Sequence, residues 1–320
     1  MSEPDTPVQR AVIVTENEGA RTIDLDAGRR AFLRSVGVGA VGATALAGGI
    51  GGSVRTARAQ DGVINDIAIL NFALNLEYLE AEFYLRAAFG RGLSNDDIDG
   101  EGELGPVTGG AQVSFDTKDI RLYAEEIAMD EEAHVKFLRA ATGDQAIARP
   151  AINLQRSFNQ ASRAAGLGNN FNPFTNEVNF LLAAFIFEDV GVTAYKGAAP
   201  LIEDPAILSA AAGLLGTEAY HAGLVRTTMR GLGLLVEANR ISDARDSLDG
   251  PSNRDGGIGT RNRSNIVPTD DNALIYGRTP RQVLDIVYLS KRKRGGFFPQ
   301  GINGALDAFS GNADDDDDDN

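Results

Sequence analysis

The residues of this chain best suited to chemistry are its two histidines, His134 and His221. Glu131 precedes His134 by three positions, and Glu218 precedes His221 by the same spacing. On a helix, this spacing places the carboxylate and the imidazole on one face, about one turn apart. A lone helical histidine is more often packed or solvated than a ligand, but here every histidine occurs in the same motif. The two Glu-x-x-His motifs predict a dinuclear metal site in a helix bundle, for which two further helices must each supply a glutamate.

The amino-acid composition restricts the ligands and the partners of such a site. The 320 residues include no cysteine, which excludes thiolate nucleophiles, disulfides and iron–sulfur clusters. Any metal must therefore bind through oxygen and nitrogen ligands. The formal net charge of −15 argues against nucleic-acid partners and against anionic membrane surfaces.

Residues 1–59 are predicted to be a twin-arginine signal peptide that is removed. Arg29 and Arg30 are followed by a Phe-Leu pair and a mildly apolar run rich in glycine and alanine, and an Ala-x-Ala cleavage motif ends at Ala59. The apolar run is too short and glycine-rich for a stable span, so no stable membrane anchor is predicted. The expected partner is the twin-arginine export machinery, which transports folded proteins to the periplasm or the outside of the cell.

The rest of the chain carries the periodicity of four long helices. Apolar residues at three-to-four spacing predict helices over Val63 to about Phe89, Phe115–Ala141, Thr175 to about Gly197 and Pro205 to about Leu235. The second and the fourth of these helices bear the two Glu-x-x-His motifs. The connection 143–174, with a short helix near 154–165, is long enough to run the length of a bundle. The loop 92–114 either covers one end of the bundle or opens it to solvent.

The first and third predicted helices each offer carboxylates within an apolar stripe. Glu77 and Glu80 lie in the stripe of the first helix, whereas Glu188 lies in that of the third and is followed by Asp189. A carboxylate within an apolar stripe needs a partner. The alternatives are that Glu80 and Glu82 are solvated, and that either Glu188 or Asp189 faces outward.

An internal repeat selects among these carboxylates. Glu77 is followed seven residues later by Tyr84, and Glu188 is followed seven residues later by Tyr195; a helix with Glu-x-x-His then follows in each half. Seven residues are about two turns, so each tyrosine shares a face with its glutamate. The position of Glu80 corresponds to a glycine in the second half, which favours Glu77 over Glu80 as a ligand.

Acidic residues also crowd the second predicted helix. Glu125, Glu126, Asp130 and Glu132 are interpreted as a solvated face. Glu126 or Asp130 is alternatively placed to support a ligand by hydrogen bonding.

Several stretches resemble the ferritin-like domain shared by plant desiccation-related proteins and many exported bacterial proteins. They are residues 71–84, 131–134 and 213–221, together with the glycine-rich residues 295–304. The resemblance covers roughly residues 63–305. It implies an all-α fold, a ferritin-like four-helix bundle with a long crossover between its second and third helices.

The resemblance also implies a site for two metal ions, iron or manganese. Glu131 and Glu218 would bridge the two ions. Each ion would then be completed by one glutamate and one histidine, in the pairs Glu77 with His134 and Glu188 with His221. Tyr84 and Tyr195 would orient carboxylates by hydrogen bonding.

The predicted domain organisation places the bundle ahead of an irregular extension. The segments are the signal peptide 1–59, the bundle 60–240, an extension 241–310 that packs on the bundle, and a disordered acidic tail 311–320. The extension contains a short helix opened by Pro280 and ending near Leu289. The basic run 291–294 is interpreted as a solvated loop.

These features predict an exported ferritin-like protein with a redox site, active toward O₂ or peroxide in stress protection. It would be a di-iron or di-manganese oxidoreductase of the oxidase, peroxidase or catalase kind. The alternative is a non-catalytic desiccation- or stress-related protein that binds metal for structure. An iron-storage cage is disfavoured because the insertions and the extension would crowd a shell interface. A homodimer is compatible with the sequence.

Overall fold

The computed structural model describes residues 65–306, which form a helical bundle and its extension. In that region the helices are α1 (Asp66–Phe89), α2 (Lys118–Thr142), α3 (Arg156–Ala164), α4 (Glu177–Ala198), α5 (Pro205–Gly231), α6 (Leu235–Leu248) and α7 (Pro280–Val287). Helices α1 and α2 pack together, as do α4 and α5, and α1 contacts α4. The all-α fold with four long helices is thus confirmed. The predictions for residues 1–59 and 311–320 fall outside the described residues.

Helices α1 and α4 are the inner pair of the bundle. Both are mainly apolar and are buried on most sides, and every residue of α4 from Phe180 to Tyr195 is buried. A helix that is hydrophobic all round must be covered all round. The segment Glu177–Leu201 is apolar and long enough to cross a membrane, but 83% of its most apolar window is buried inside the protein. Its composition is therefore that of a core helix, while α2 and α5 each bury a single face.

The ends of the long helices follow local capping chemistry. The side chain of Asn65 accepts a hydrogen bond from the backbone N–H of Ala68 at 2.9 Å, which starts α1. Gly90, at φ 70°, ends α1 in the left-handed region that favours glycine. Asp204 accepts from the N–H of Ala206 at 2.7 Å ahead of a proline, so it caps α5.

The start of α2 has no side-chain cap. Thr117 is the N-cap residue, but its side chain makes no hydrogen bond to the helix. Its hydroxyl and its backbone N–H instead donate to the carboxylate of Glu177, each at 2.7 Å. Thr117 therefore ties the start of α2 to the start of α4.

The loop between α1 and α2 folds onto the crossover between α2 and α4. Its strand β1 (Val107–Thr108) pairs in parallel with β2 (Ile152–Asn153) of the crossover. Additional backbone hydrogen bonds join Glu101 to Ala146 and Ala148. The loop is thus held along the crossover by backbone pairing.

Helix α6 was not predicted from the sequence. Gly233, at φ 76°, separates it from α5, and α6 crosses the boundary that was predicted at residue 240. Its buried face contains Ser242 and Arg245 beside Ala238 and Ile241. Two polar residues on that face weaken the apolar periodicity that reveals a helix.

The extension contacts the bundle through its last aromatic residues. The ring of Phe297 lies 4.9 Å, between centroids, from Phe158 of α3 and from Phe187 of α4. Helix α7 opens with a capping box formed by Thr279 and Gln282. A short antiparallel pair, β3 (Gly259–Thr260) and β4 (Arg263–Ser264), lies in the loop before it.

A buried cluster of arginines and aspartates connects the bundle to the extension. We refer to it as the arginine–aspartate network; its members are Arg226, Arg245, Arg278, Asp189, Asp249 and Asp255. Asp189 of α4 lies 2.6 Å from the guanidinium of Arg226 and 2.8 Å from that of Arg245. Arg278 lies 2.7 Å from Asp249. Each buried charge therefore has an opposite partner, as burial requires.

Candidate metal centre

The six predicted ligands come together in the middle of the bundle. Helices α1 and α4 each supply one glutamate, and α2 and α5 each supply one Glu-x-x-His pair. All six side chains are buried: Glu77, Glu131, His134, Glu188, Glu218 and His221. Burial of four carboxylates at one place is costly unless cations or protons compensate their charge.

The ligand atoms fall into overlapping groups whose atoms all lie within 4.8 Å of one another. One group contains Glu77, Glu131, His134 and Glu218. A second group contains Glu131 again, with a glutamate from α4 and the histidine from α5. Glu131 thus belongs to two groups, which is the arrangement that a carboxylate bridging two ions requires.

Both imidazoles direct their Nδ1 atoms toward the centre. Nδ1 of His134 lies 3.2 Å from Glu77 and 3.4 Å from Glu131. Nδ1 of His221 lies 3.1 Å from Glu131 and 3.8 Å from Glu188. Neutral imidazole binds a metal through a single ring nitrogen, so each ring offers one inward donor atom.

Several of these inward atoms are buried and lie near one another without forming a hydrogen bond of acceptable geometry. They include both carboxylate oxygens of Glu131, both oxygens of Glu218 and Nδ1 of His221. Buried polar atoms are normally hydrogen-bonded, and exceptions need an explanation. A set of unpartnered oxygen and nitrogen donors that converge on one place fits hard or borderline cations such as iron and manganese.

Glu80 also belongs to this centre, which corrects the expectation that it is solvated. It is 6% exposed. Its ligand atom lies within 4.8 Å of those of Glu188 and Glu218. Glu82, for which solvation was the alternative as well, is buried and pairs with Arg149.

Tyr84 and Tyr195 both contact the predicted ligands, but each reaches across to the other half of the repeat. The hydroxyl of Tyr84 on α1 donates to Glu188 on α4, and the hydroxyl of Tyr195 on α4 donates to Glu77 on α1. Burial raises the pKa of both phenols well above the ordinary value. They therefore stay protonated and act as fixed hydrogen-bond donors to the terminal carboxylates.

Asp130 supports one of the histidines, as one of the sequence alternatives proposed. Its carboxylate lies 3.0 Å from Nε2 of His221, the ring nitrogen that points away from the centre. A carboxylate on the outer nitrogen fixes the ring orientation and raises the basicity of the inner nitrogen. Glu126, the other candidate for this role, is exposed.

Asp189 does not compete with Glu188 for the centre, and neither residue faces solvent. Glu188 is 0% and Asp189 is 6% exposed, so the alternative in which one of them faces outward does not hold. Asp189 points away from the centre to Arg226 and Arg245. Adjacent residues of α4 thus serve the metal centre and the arginine–aspartate network.

The metal-free centre holds protons where cations would bind. Burial raises the pKa of Glu77 to about 8. Burial alone would raise the pKa of Glu131 too, but His134 and His221 hold it below its usual range. Burial would lower the pKa of His221, yet Asp130 and the neighbouring carboxylates raise it to about 11. An incoming cation must therefore displace protons.

Sequence comparison agrees with this geometry. The family model of the ferritin-like domain matches residues 65–231. The chain belongs to the ferritin-like domain family. It is 31% identical to a desiccation-related protein, PCC13-62, from Craterostigma plantagineum, over 69% of this chain and 76% of that protein. It is 29% identical to the ferritin-like catalase Nec2 from Nesocodon mauritianus, over 75% of this chain and 84% of that protein. No solved structure matches the chain significantly.

Sequence reasoning missed the place of Glu80 in this ferritin-like centre. The signal was present, because Glu80 follows Glu77 by one helical turn and so shares its face. The corresponding position of the second half is Gly191. A Cβ on Gly191 would lie 3.4 Å from Oε1 of Glu80 and 2.3 Å from Oε2 of Glu218. The glycine leaves room for these carboxylates. The absence of a carboxylate at position 191 is therefore no argument against a place for Glu80 in the centre.

Proposed function

We propose that this chain is an exported ferritin-like metalloprotein that binds two iron or manganese ions and reacts with O₂ or peroxide. Dismutation of hydrogen peroxide is the reaction that we favour. The observation that carries the proposal is the convergence of buried, unpartnered donors from Glu131, Glu218 and His221. The similarity to a protein named a ferritin-like catalase supports the choice of reaction.

Within this proposal Glu131 and Glu218 are the residues that would hold both ions. Glu131 has both oxygens free of hydrogen bonds and faces both histidines. Glu218 likewise has two unpartnered oxygens, one of which lies 3.5 Å from Nδ1 of His134. Glu77 and Glu188 would each hold a single ion, because a tyrosine hydrogen bond occupies one oxygen of each.

Two bound redox-active ions would supply the two-electron chemistry that this reaction needs. The balanced reaction turns two molecules of hydrogen peroxide into two of water and one of O₂, so no external reductant is needed. The protein provides burial that excludes bulk water and fixed orientations for the donors. Tyr84 and Tyr195 hold the terminal carboxylates, and Asp130 holds the ring of His221.

The test is to load the full chain with Mn(II) or Fe(II) and to follow peroxide loss and O₂ in an electrode cell. We expect peroxide consumption with O₂ release for the catalase reaction, or O₂ uptake for an oxidase. The double variant His134→Ala/His221→Ala should lose this activity, and the control Glu126→Gln, at an exposed residue, should keep it. A metal-replete protein that is inert in both assays would overturn the proposal.

Export by the twin-arginine route is proposed on the pair Arg29-Arg30 and the Ala-x-Ala motif. Replacing both arginines by lysine keeps their charge. We expect the variant to stay in the cytoplasm with an unprocessed leader, as seen on an immunoblot of cell fractions. Normal export of this variant would assign a different route.

A non-catalytic role in desiccation is the second candidate, favoured by the 31% identity to a desiccation-related protein. In that case, metal binding would serve only to stabilise the bundle. The His134→Ala/His221→Ala variant separates the two, provided that circular dichroism shows normal folding. Unchanged protection of a drying-sensitive enzyme by this variant would favour the second candidate.

A further inference from the structure

Glu80 is a buried carboxylate for which the described part of the protein supplies no cation. Its Oε2 has no hydrogen-bond partner, and within residues 65–306 none of the ion pairs formed includes it. Two other buried acids near it form ion pairs with arginines. Glu82 lies 2.9 Å from Arg86 and also pairs with Arg149, and Asp189 pairs with Arg226. A buried carboxylate that is not paired with a cation is destabilising unless something else compensates it.

The position of Glu80 identifies what compensates it. Its carboxylate groups with Glu188 and Glu218 within 4.8 Å, which are distances that one ion can bridge. Glu188 also groups with His221. Glu80 thus groups with the shared Glu218 and with Glu188, the glutamate on the His221 side, and it does not group with Glu77 of its own helix.

Only the first half of the repeat has a carboxylate at this position. The second half has Gly191 at the corresponding position. A Cβ on Gly191 would come 3.4 Å from Oε1 of Glu80 and would collide, at 2.3 Å, with Glu218. The space beside Gly191 on α4 is thus occupied by the carboxylate of Glu218, and the carboxylate of Glu80 lies next to it.

We propose that Glu80 is a seventh protein ligand, which binds the ion at Glu188 and His221 and makes the two metal positions inequivalent. This inference rests on the proposed dinuclear centre. With Glu80, the ion at Glu188 and His221 would have four glutamates, because Glu131 and Glu218 are shared, whereas the ion at Glu77 and His134 would have three. More negative ligands hold a hard cation more tightly, so the position with Glu80 fills first. The position at His134 keeps more coordination sites for water or substrate.

The test is to titrate the metal-free full chain with Mn(II) and to count bound ions by the loss of the free-ion EPR signal. Wild type should bind two ions in two distinguishable steps. Glu80→Gln keeps the shape of the side chain and should weaken the tighter step by at least about tenfold, which merges the two steps. The control Glu126→Gln removes the same charge from an exposed site of α2 and should leave both steps unchanged.

A second measurement separates a ligand from a residue that only supports the fold. Removing an uncompensated charge should leave the melting temperature of metal-free Glu80→Gln equal to or above that of wild type, while the rise on adding Mn(II) should shrink. In Glu80→Gln, Co(II) bound at the tighter position should absorb more strongly in the visible range than it does in wild type, because the ion has lost one ligand. If Glu80→Gln fails to fold, Glu80→Ala is tested in the same way.

The outcomes distinguish the two proposals. Two unequal steps in wild type that become weaker and equal in Glu80→Gln support the inference. Binding by Glu80→Gln that matches wild type overturns the inference and leaves the dinuclear centre standing. A wild-type protein that binds no Mn(II), Fe(II) or Co(II) overturns both.

Discussion

At the scale of residues, the two tyrosines show how the repeat organises the centre. The sequence placed each tyrosine on the face of its own glutamate, but the hydroxyls of Tyr84 and Tyr195 bond to Glu188 and Glu77 of the opposite half. Helices α1 and α4 run in opposite directions, so the order of glutamate and tyrosine on one helix is reversed on the other. Each tyrosine therefore lies opposite the glutamate of the other helix. Spacing within a helix could be predicted from the sequence, whereas the pairing between helices depends on the level at which they pack.

Replacing Tyr84 by phenylalanine tests that pairing. The change removes the hydrogen bond that orients Glu188 and leaves the ring in the core. We expect Mn(II) affinity to fall by about 10- to 100-fold, which is the usual cost of losing a group that orients a ligand. Tyr220→Phe is the matched control, because Tyr220 is 83% exposed next to His221. Equal affinities for the two variants, measured by competition with a chelator, would contradict the orienting role.

The raised pKa values at the centre predict proton release when metal binds. Glu77, with a pKa of about 8, and His221, with a pKa of about 11, carry protons at pH 7 in the metal-free protein. A metal needs both groups deprotonated, so binding releases these protons and strengthens as the pH rises. The affinity should increase about tenfold per pH unit for each proton released, and the contribution of Glu77 should end above pH 8. Calorimetry in buffers of different ionisation enthalpy measures this; a buffer-independent enthalpy would contradict it.

Glu80 marks the limit of residue-level prediction. Six candidate ligands could be predicted from two Glu-x-x-His motifs and a repeat, because each half of the repeat supports the other. A residue that breaks the repeat gains no support from it, so Glu80 was set aside. Only the packing of α1 against α4 shows that the gap at Gly191 makes room for the carboxylates of Glu80 and Glu218.

At the scale of elements, the bundle helices could be predicted and α6 could not. The long helices have wide apolar faces and clear ends, such as Gly90 and Asp204. Helix α6 instead buries Arg245 and Ser242, whose burial is offset by partners distant in sequence. Arg245 contacts Asp189 at 2.8 Å, a residue 56 positions earlier. Local periodicity carries no information about such a partner.

Asp189→Ala tests whether the arginine–aspartate network holds these elements together. The change leaves Arg226 without its aspartate and takes one of the two aspartates from Arg245. Removing one partner from a buried ion pair costs about 3–5 kcal/mol, so the free energy of unfolding in urea should fall by about that amount. Glu125→Gln, which breaks a surface pair with Arg121, should cost less than about 1 kcal/mol. Equal losses for the two variants would mean that the network contributes little.

At the scale of the whole molecule, the centre joins two helical hairpins. The first consists of α1 and α2, and the second consists of α4 and α5. Glu218 from the second hairpin groups with three residues of the first, and Glu131 from the first groups with Glu188 and His221 of the second. Ions bound there would cross-link the hairpins between their outer helices, where α2 and α5 contact each other much less than each contacts its inner neighbour.

Metal loading should therefore stabilise the entire bundle. A ligand at a concentration 100-fold above its dissociation constant adds about 2.7 kcal/mol if it binds only the folded state. For a domain of this size that corresponds to a rise in melting temperature of about 5–10 °C per site. The rise is measured by calorimetry with Mn(II) and after chelation, and it should vanish in His134→Ala/His221→Ala. An equal rise in that variant would show that the cation acts on surface carboxylates. A rise confined to wild type would place the stabilising cation between the two hairpins, where Glu131 and Glu218 each group with residues of the opposite hairpin.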